Sequence, residues 1–466
     1  MTTFAPVFKR MIKNSSVMSQ SNYSFLSMIK KYVNSSVILI GFTVLALILA
    51  NWSLTSEWYS KIWTWEVEFS LGGSNFFSHG GHTMNLMQVV NDFLMAIFFL
   101  SVGLEIKREL RVGELHDPKK ALLPIIGACG GMLIPVLFFS VFCPDGADAQ
   151  RGVAIPMATD IAFSLGVLAL FKTRVSNGLK VFLATLAVAD DLGGIIVIAV
   201  CYSSSMHWGF FIAAMACLLV MIAANIFKVR VKSFYVIAGL IMWYLLLNSG
   251  VHATIAGVAT AFCIPATLKN PTVHYLRRIV ENVDKFRHIH TTTMEEDKDK
   301  LVALTNEEIH VWKSIESAAD KMISPLQDLE DNLHNVINYF VVPLFAFANA
   351  GIVLGGMAFS DVFSGVSLAI MVGLVAGKFL GVLSFSWIAV RLKFVQLPDN
   401  SDWKSFASVC MLCGIGFTVS MFIASLSYAE GDPMLNQAKL GIILGSVISA
   451  VLGCILLNRT LPKEQK

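Results

Sequence analysis

Charge is what this sequence has least of. Of its 466 residues only 14% are Asp, Glu, Lys or Arg, while 55% are hydrophobic. A soluble domain carries about 25% charged residues. Mean hydropathy is +0.67. Residues 192–227 contain no charged side chain, and neither do residues 233–268. Each run is too long for one helical span of about 20 residues and suits two. These absences exclude a soluble globular domain. A transmembrane β-barrel is also excluded, because its strands alternate apolar and polar residues in segments of about 10. Cysteine chemistry is missing too. The eight cysteines fall mostly inside apolar runs, where they act as small apolar side chains. Cys410-Met-Leu-Cys413 has redox spacing but no His or further Cys partner. Up to about Tyr32 the chain is polar and lacks the apolar core and cleavage site of a secretory signal.

What is present reads as an all-α polytopic membrane protein. Twelve transmembrane helices are expected at 36–52, 86–105, 121–143, 153–171, 180–201, 208–227, 233–248, 250–266, 335–354, 363–390, 405–428 and 435–457. Lys and Arg gather in alternate connections: Lys107, Arg108, Arg111, Lys119 and Lys120, then Lys172, Arg174 and Lys180, then Lys228, Arg230 and Lys232. The opposite side holds only Lys61, Arg151 and Lys439. This positive-inside pattern puts both termini in the cytoplasm. The net charge of +3 is therefore a topology signal, and no nucleic-acid partner is expected.

The layout is a polar cytoplasmic leader (1–35), spans one to eight (36–266), a charged cytoplasmic loop (267–334), spans nine to twelve (335–458) and a cytoplasmic tail (459–466). Within the loop, Ile309, Trp312, Ile315, Ala319, Met322 and Ile323 recur at helical spacing, which predicts a solvated hairpin of helices. Two spans look interrupted. One reads Ala154-Ile-Pro-Met-Ala-Thr-Asp160, where proline removes a backbone donor. The other reads Cys413-Gly-Ile-Gly-Phe-Thr418. Paired interruptions mark the binding site of inverted-repeat transporters. Spans three to five and ten to twelve would be the repeats, with two discontinuous helices crossing.

Ionisable residues inside the spans are few: Asp92, Asp160, Asp190, Asp191, His252 and Lys378. Asp92 opens its span near the interface and could simply cap that helix with Asn91. His252 is either a hydrogen-bonded structural residue or a pH sensor. Asp160 follows a break and can compensate the positive ends of interrupted helices. Lys378 needs a partner, either carbonyl ends at the breaks or an aspartate. Asp190 and Asp191 stand apart from these. A membrane carboxylate costs roughly 2.5–3.5 kcal/mol on insertion scales, and the second ionisation of an adjacent pair is opposed by the first. Neighbouring helical residues point about 100° apart, so one can face a cavity and the other Lys378. Such a pair can hold a proton or a small hard cation, with Thr159 as a further oxygen donor. An intramembrane aspartyl protease would need carboxylates on different helices, such as Asp160 with Asp191. A sodium-coupled symporter would need an organic pocket, and a channel a repeated filter. The adjacent pair cannot serve the protease, though Asp160 with Asp191 could in principle; neither an organic pocket nor a repeated filter is evident.

These stretches resemble the NhaA-type bacterial sodium/proton antiporters. The match is carried by residues 90–110 (Val90-Asn-Asp-Phe to Lys-Arg-Glu-Leu110), 154–166, Ala189-Asp-Asp-Leu-Gly193, Ser249-Gly-Val-His-Ala-Thr254, 343–351 and Leu412-Cys-Gly-Ile-Gly-Phe-Thr418. The resemblance implies a cell inner-membrane secondary transporter, not an enzyme. It would be an electrogenic antiporter that moves one Na⁺ or Li⁺ out for two protons in, serves pH and sodium homeostasis, is activated at alkaline pH, and has no cofactor. Asp191 would be the main ion ligand and Asp190 its partner, paired with Lys378. Asp191, Asp190 and Thr159 would supply Na⁺ ligands. Thr159 and Asp160 fall on the helix crossing, where Lys378 joins them in charge compensation. Glu105, Arg108 and Glu109, with His252, Glu330 and His334, fall on the pH-response positions. A homodimer would form through a hairpin at 66–84 containing Phe69, Phe76 and Phe77.

Overall fold

The computed structural model describes residues 35–71, 74–79, 82–171, 174–201, 206–267, 272–296, 304–353 and 363–462. The 1–34 leader, the centre of the charged loop, part of the 66–84 hairpin and the last four residues lie outside them. The described residues are almost entirely helical. In order come α1 (Ser35–Asn51), α2 (Ser56–Trp63), α3 (Leu86–Arg111), α4 (Pro118–Phe142), α5 (Ala147–Met157, ending as a 3₁₀ helix) and α6 (Ile161–Ala169). Next are α7 (Asn177–Cys201), α8 (Trp208–Ile226), α9 (Lys232–Leu247), α10 (Ile255–Cys263), α11 (Thr272–Glu296) and α12 (Asn306–Asp320). Then follow α13 (Pro325–Val336), α14 (Val342–Asn349), α15 (Gly365–Arg391), α16 (Trp403–Leu412), α17 (Phe417–Ser427) and α18 (Pro433–Thr460). Two antiparallel ladders of two-residue strands, Ser70–Leu71 with Ser74–Asn75 and Ser78–His79 with His82–Thr83, sit between α2 and α3.

Among the described residues, six helices (α3, α4, α7, α8, α15 and α18) are each long and apolar enough to cross a membrane. Three bent pairs, α1 with α2, α5 with α6 and α16 with α17, raise this to nine. Of the remaining expected spans, 233–248 and 250–266 fall on shorter helices, and 335–354 falls on α13 and α14, which run on from one another through a π-helical turn at Ile337–Val341. In 250–266 the helix starts only at Ile255, because the chain first turns at Gly250, whose φ is +87°. The outward faces are apolar: on α8, Ile212, Leu219, Val220 and Ile226 are all more than half exposed. Contiguous exposed aliphatic surface of this kind belongs in lipid, not water.

The helices approach closely where side chains are small, the usual device of membrane packing. α4 and α15 meet at Gly130 and Gly381, where a Cβ on either would strike the other's carbonyl oxygen. This contact fixes the height at which Lys378, one turn away on α15, enters the core.

α3 begins at a capping box in which Asn85 Oδ1 accepts from Gln88 N (2.8 Å) and Asn85 N donates to Gln88 Oε1 (3.0 Å). Asp92 is therefore not the cap; it lies inside the helix, in a π-helical turn at Val90–Leu94. Of the hairpin phenylalanines, Phe76 stacks on Tyr244 (5.3 Å) and Phe77 packs edge-on to Phe93 (6.2 Å), while Phe69 is exposed.

Lys107, near the end of α3, is buried. Its Nζ donates to the carbonyls of Phe262 (2.7 Å) and Ile264 and lies 3.5 Å from that of Ala261. A lysine there satisfies the orphan carbonyls at the C-terminus of α10. Lys107→Met leaves them bare, and each buried unsatisfied group costs about 1–3 kcal/mol. The expected outcome is a clearly lower melting temperature in detergent; an unchanged one would mean that water or another donor replaces the ammonium.

In the charged loop, α11 and α12 pack antiparallel, joined by Asn282 to Ser314 (3.0 Å) and His290 to Glu308 (2.7 Å). The Thr305 backbone N–H, then His290, hold the Glu308 carboxyl below its usual range.

Candidate functional site: two broken helices around buried carboxylates

The breaks in α5–α6 and α16–α17, bent by 42° and 43°, have local causes. Pro156 has no N–H to continue the helix. On the other side, a Cβ at Gly416 would lie 2.9 Å from the Ala158 carbonyl oxygen, so only glycine lets the two interruptions touch. They do touch: Asp160 N donates to the Ile415 carbonyl at 2.7 Å.

Two helix N-termini and two helix C-termini thus converge in the core, each with unsatisfied groups and a partial charge. Asp160 serves both N-termini. Its Oδ1 accepts from Phe163 N at the start of α6 (3.0 Å), and its Oδ2 accepts from Thr418 N (3.0 Å) and Thr418 Oγ1 (2.6 Å) at the start of α17. The C-terminal carbonyls are met by donors. Lys378 Nζ donates to the Met157 carbonyl at the end of α5, and Thr159 Oγ1 lies 2.9 Å from the Cys413 carbonyl beyond α16.

Asp190 joins this knot from α7. Its Oδ2 pairs with Lys378 Nζ and lies 2.7 Å from Thr159 Oγ1. A hydroxyl has one proton, so Thr159 can donate to Asp190 or to Cys413 but not to both at once. Lys378 and Asp190 are fully enclosed. Oδ1 of Asp190 and Oδ1 of Asp191 are both buried with no hydrogen-bond partner among the described residues. Asp191 makes no ion pair with Lys378 and lines a cavity of about 430 Å³ with Asp160, Thr418, Glu105, Arg108, Glu330 and His334, which Lys378 does not reach. The arrangement therefore sorts the carboxylates. Asp160 is neutralised by helix ends and Asp190 by an ammonium, while Asp191 faces space with neither.

The same cavity gathers most of the other charged residues singled out in the sequence. Arg108 Nε is 2.9 Å from Glu330 Oε1, and Arg108 Nη2 is 3.2 Å from Glu109 Oε1. His334 Nε2 is 3.0 Å from Asn338 Nδ2. Burial pushes the Glu330 carboxyl up, against the pull of Arg108. His252 is not part of this group. It lines a second cavity, also about 430 Å³, with Asp92, Glu430 and Lys439, and its Nδ1 is 3.1 Å from Thr254 Oγ1. Among the described residues no cluster of three His, Cys, Asp or Glu has metal-binding geometry.

A family model described as Na+/H+ antiporter 1 matches residues 27–457. The chain belongs to this family. Its curated relatives include the Na(+)/H(+) antiporter NhaA of Phocaeicola vulgatus, 48% identical over 447 residues, covering 95% of this chain and 97% of the relative. That of Bacteroides fragilis is 46% identical over 434 residues, covering 93% and 97%. That of Porphyromonas gingivalis is 45% identical over 433 residues, covering 92% and 94%. This is a family of transporters, not enzymes, and the chain is a multi-pass membrane protein.

Sequence reasoning did not give Thr418 its role as donor to Asp160, nor Lys107 its role at α10. Thr418 was within reach, since it follows the second interruption as Asp160 follows the first.

Proposed function

We propose that this protein exchanges Na⁺ or Li⁺ for protons across the inner membrane, with Asp191 and Asp190 as the exchange site. The observation that carries the reading is the uncompensated Asp191 carboxylate, buried yet facing a cavity, beside a second carboxylate with its own unmet oxygen. Oxygen-only donors suit a hard monovalent cation. Asp191, with Asp190 and Thr159, holds the cation as transported substrate, and protons take the same oxygens when it leaves. Two carboxylates taking up two protons against one Na⁺ make the cycle electrogenic. The net inward charge gains about 2.3 kcal/mol per 100 mV, enough to hold a gradient near fiftyfold at about 1.4 kcal/mol per factor of ten.

The reading places both termini and the Glu330 face in the cytoplasm, following the Lys/Arg asymmetry. It keeps twelve spans with inverted repeats, the two broken helices being their counterparts. Glu105, Arg108, Glu330 and His334 line the cytoplasmic entrance, with Glu109 paired to Arg108 beside it, and the group responds to pH: the Glu330 charge facing Arg108 is completed only as pH rises. His252 reports on the opposite cavity. A homodimer through the 66–84 hairpin would use exposed Phe69, since Phe76 and Phe77 are engaged within the subunit. The test is transport in proteoliposomes loaded with a pH dye. NaCl or LiCl should dissipate an imposed pH gradient, choline chloride should not, and the rate should respond to a clamped potential. Exchange indifferent to potential would overturn the two-to-one stoichiometry, and a requirement for an organic co-substrate would overturn antiport.

A further inference from the structure

The α11–α12 hairpin carries a groove that the exchange site does not use. It is a cavity of about 340 Å³ lined by Arg278 of α11 and by His310, Lys313, Ser314, Ser317, Ala318 and Lys321 from one face of α12 and its end. The charged side chains lining it are all of the basic types. Glu281, Glu316 and Asp320 belong to the same stretches but do not line it. Arg278, Lys313 and Lys321 are exposed and form no ion pair with any described residue. Clustered cations without a counter-charge repel one another, and an anion relieves that cost. The neutral groups suit an anion too. Asn282 Nδ2 donates to Ser314 Oγ (3.0 Å), which leaves the Ser314 proton free to donate into the groove. Arginine, lysine and hydroxyl donors around one concavity are the chemistry of phosphate recognition. The groove is also held in place. Just past Lys321, Leu326 N donates to the Pro265 carbonyl (3.3 Å), and Leu326 is buried in the core with Tyr235 and Ile264.

We propose that this groove binds a phosphate-bearing anion, either the headgroup of an anionic phospholipid or a soluble phosphate compound. The site does not depend on the exchange reading. Its test uses the full-length protein and the variant Arg278→Gln/Lys313→Gln/Lys321→Gln. These side chains are exposed, so the variant should melt like the wild type; Lys313→Gln alone gives a milder second case. Calorimetric titration with potassium pyrophosphate, which keeps Na⁺ out, reads the soluble source. Phosphatidylglycerol retained over phosphatidylcholine after detergent extraction reads the lipid source. The expected result is binding in one arm that weakens at least about tenfold in the triple variant, less in the single one, and falls with ionic strength. Loss confined to the pyrophosphate arm assigns a soluble ligand, and loss confined to the lipid arm assigns a headgroup. Equal behaviour of wild type and triple variant in both arms overturns the proposal.

Discussion

Asp191→Asn should abolish Na⁺-driven proton exchange while the protein still folds. The amide keeps the size of the carboxylate and one oxygen, so the cavity wall is preserved. It removes the charge and the capacity to carry a proton. A cation entering this enclosed space loses hydration worth several kcal/mol, and an amide oxygen returns little of that. A deficit of even about 3 kcal/mol is more than hundredfold in affinity. Folding should be spared because Asp191 accepts no hydrogen bond from any described residue and so holds nothing together. The measurement is dequenching of a pH dye in proteoliposomes on adding NaCl, with the melting temperature read alongside. Persistent exchange at near wild-type rate would remove Asp191 from the site. Lost exchange in a protein that also fails to fold would contradict the view that this carboxylate has no structural partner.

That separation between a carboxylate facing a cavity and one tied to Lys378 was only partly readable from sequence. Adjacency of Asp190 and Asp191 in an apolar run showed a coupled pair, and helical geometry showed that they point apart. Pro156 and the glycines at 414 and 416 showed where helices break, because those residues act on their own backbone. Which groups meet across the breaks was not readable. Asp160 and Thr418 are 258 residues apart, and Lys378 and Asp190 are 188; periodicity says nothing about such pairs. For Lys378 two partners were open, carbonyl ends or an aspartate, and the folded chain uses both. Asp92 was misread as a cap because composition favours Asp at helix starts, whereas the Asn85–Gln88 box seven residues earlier had already taken that place. The short helix in 250–266 was missed for a similar reason: hydropathy measures apolar length and does not register the turn at Gly250.

Lys378→Met should cost more stability than any other single change in the core. The ammonium is fully buried and satisfies two acceptors at once, the Asp190 carboxylate and the Met157 carbonyl. Removing one member of a buried ion pair costs about 3–5 kcal/mol, because the remaining charge is left uncompensated. Methionine fits the tunnel beside Gly131, where a Cβ would sit 3.5 Å from Lys378 Cε, so packing is little disturbed and the loss reads electrostatics. The decisive comparison is the double variant Lys378→Met/Asp190→Asn. If the penalty comes from a stranded carboxylate, neutralising Asp190 restores most of the melting temperature, and the two changes are strongly non-additive. If the double variant is no more stable than Lys378→Met, the main debt is to the Met157 carbonyl, and Lys378 is a cap for α5 before it is a partner for Asp190. Exchange measured on Lys378→Met then separates structure from transport. Na⁺-dependent exchange surviving in a less stable protein assigns the lysine to holding the broken helices. Its loss at a temperature where the protein remains folded assigns the Asp190–Lys378 pair to the cycle itself, as the internal cation that Na⁺ must displace.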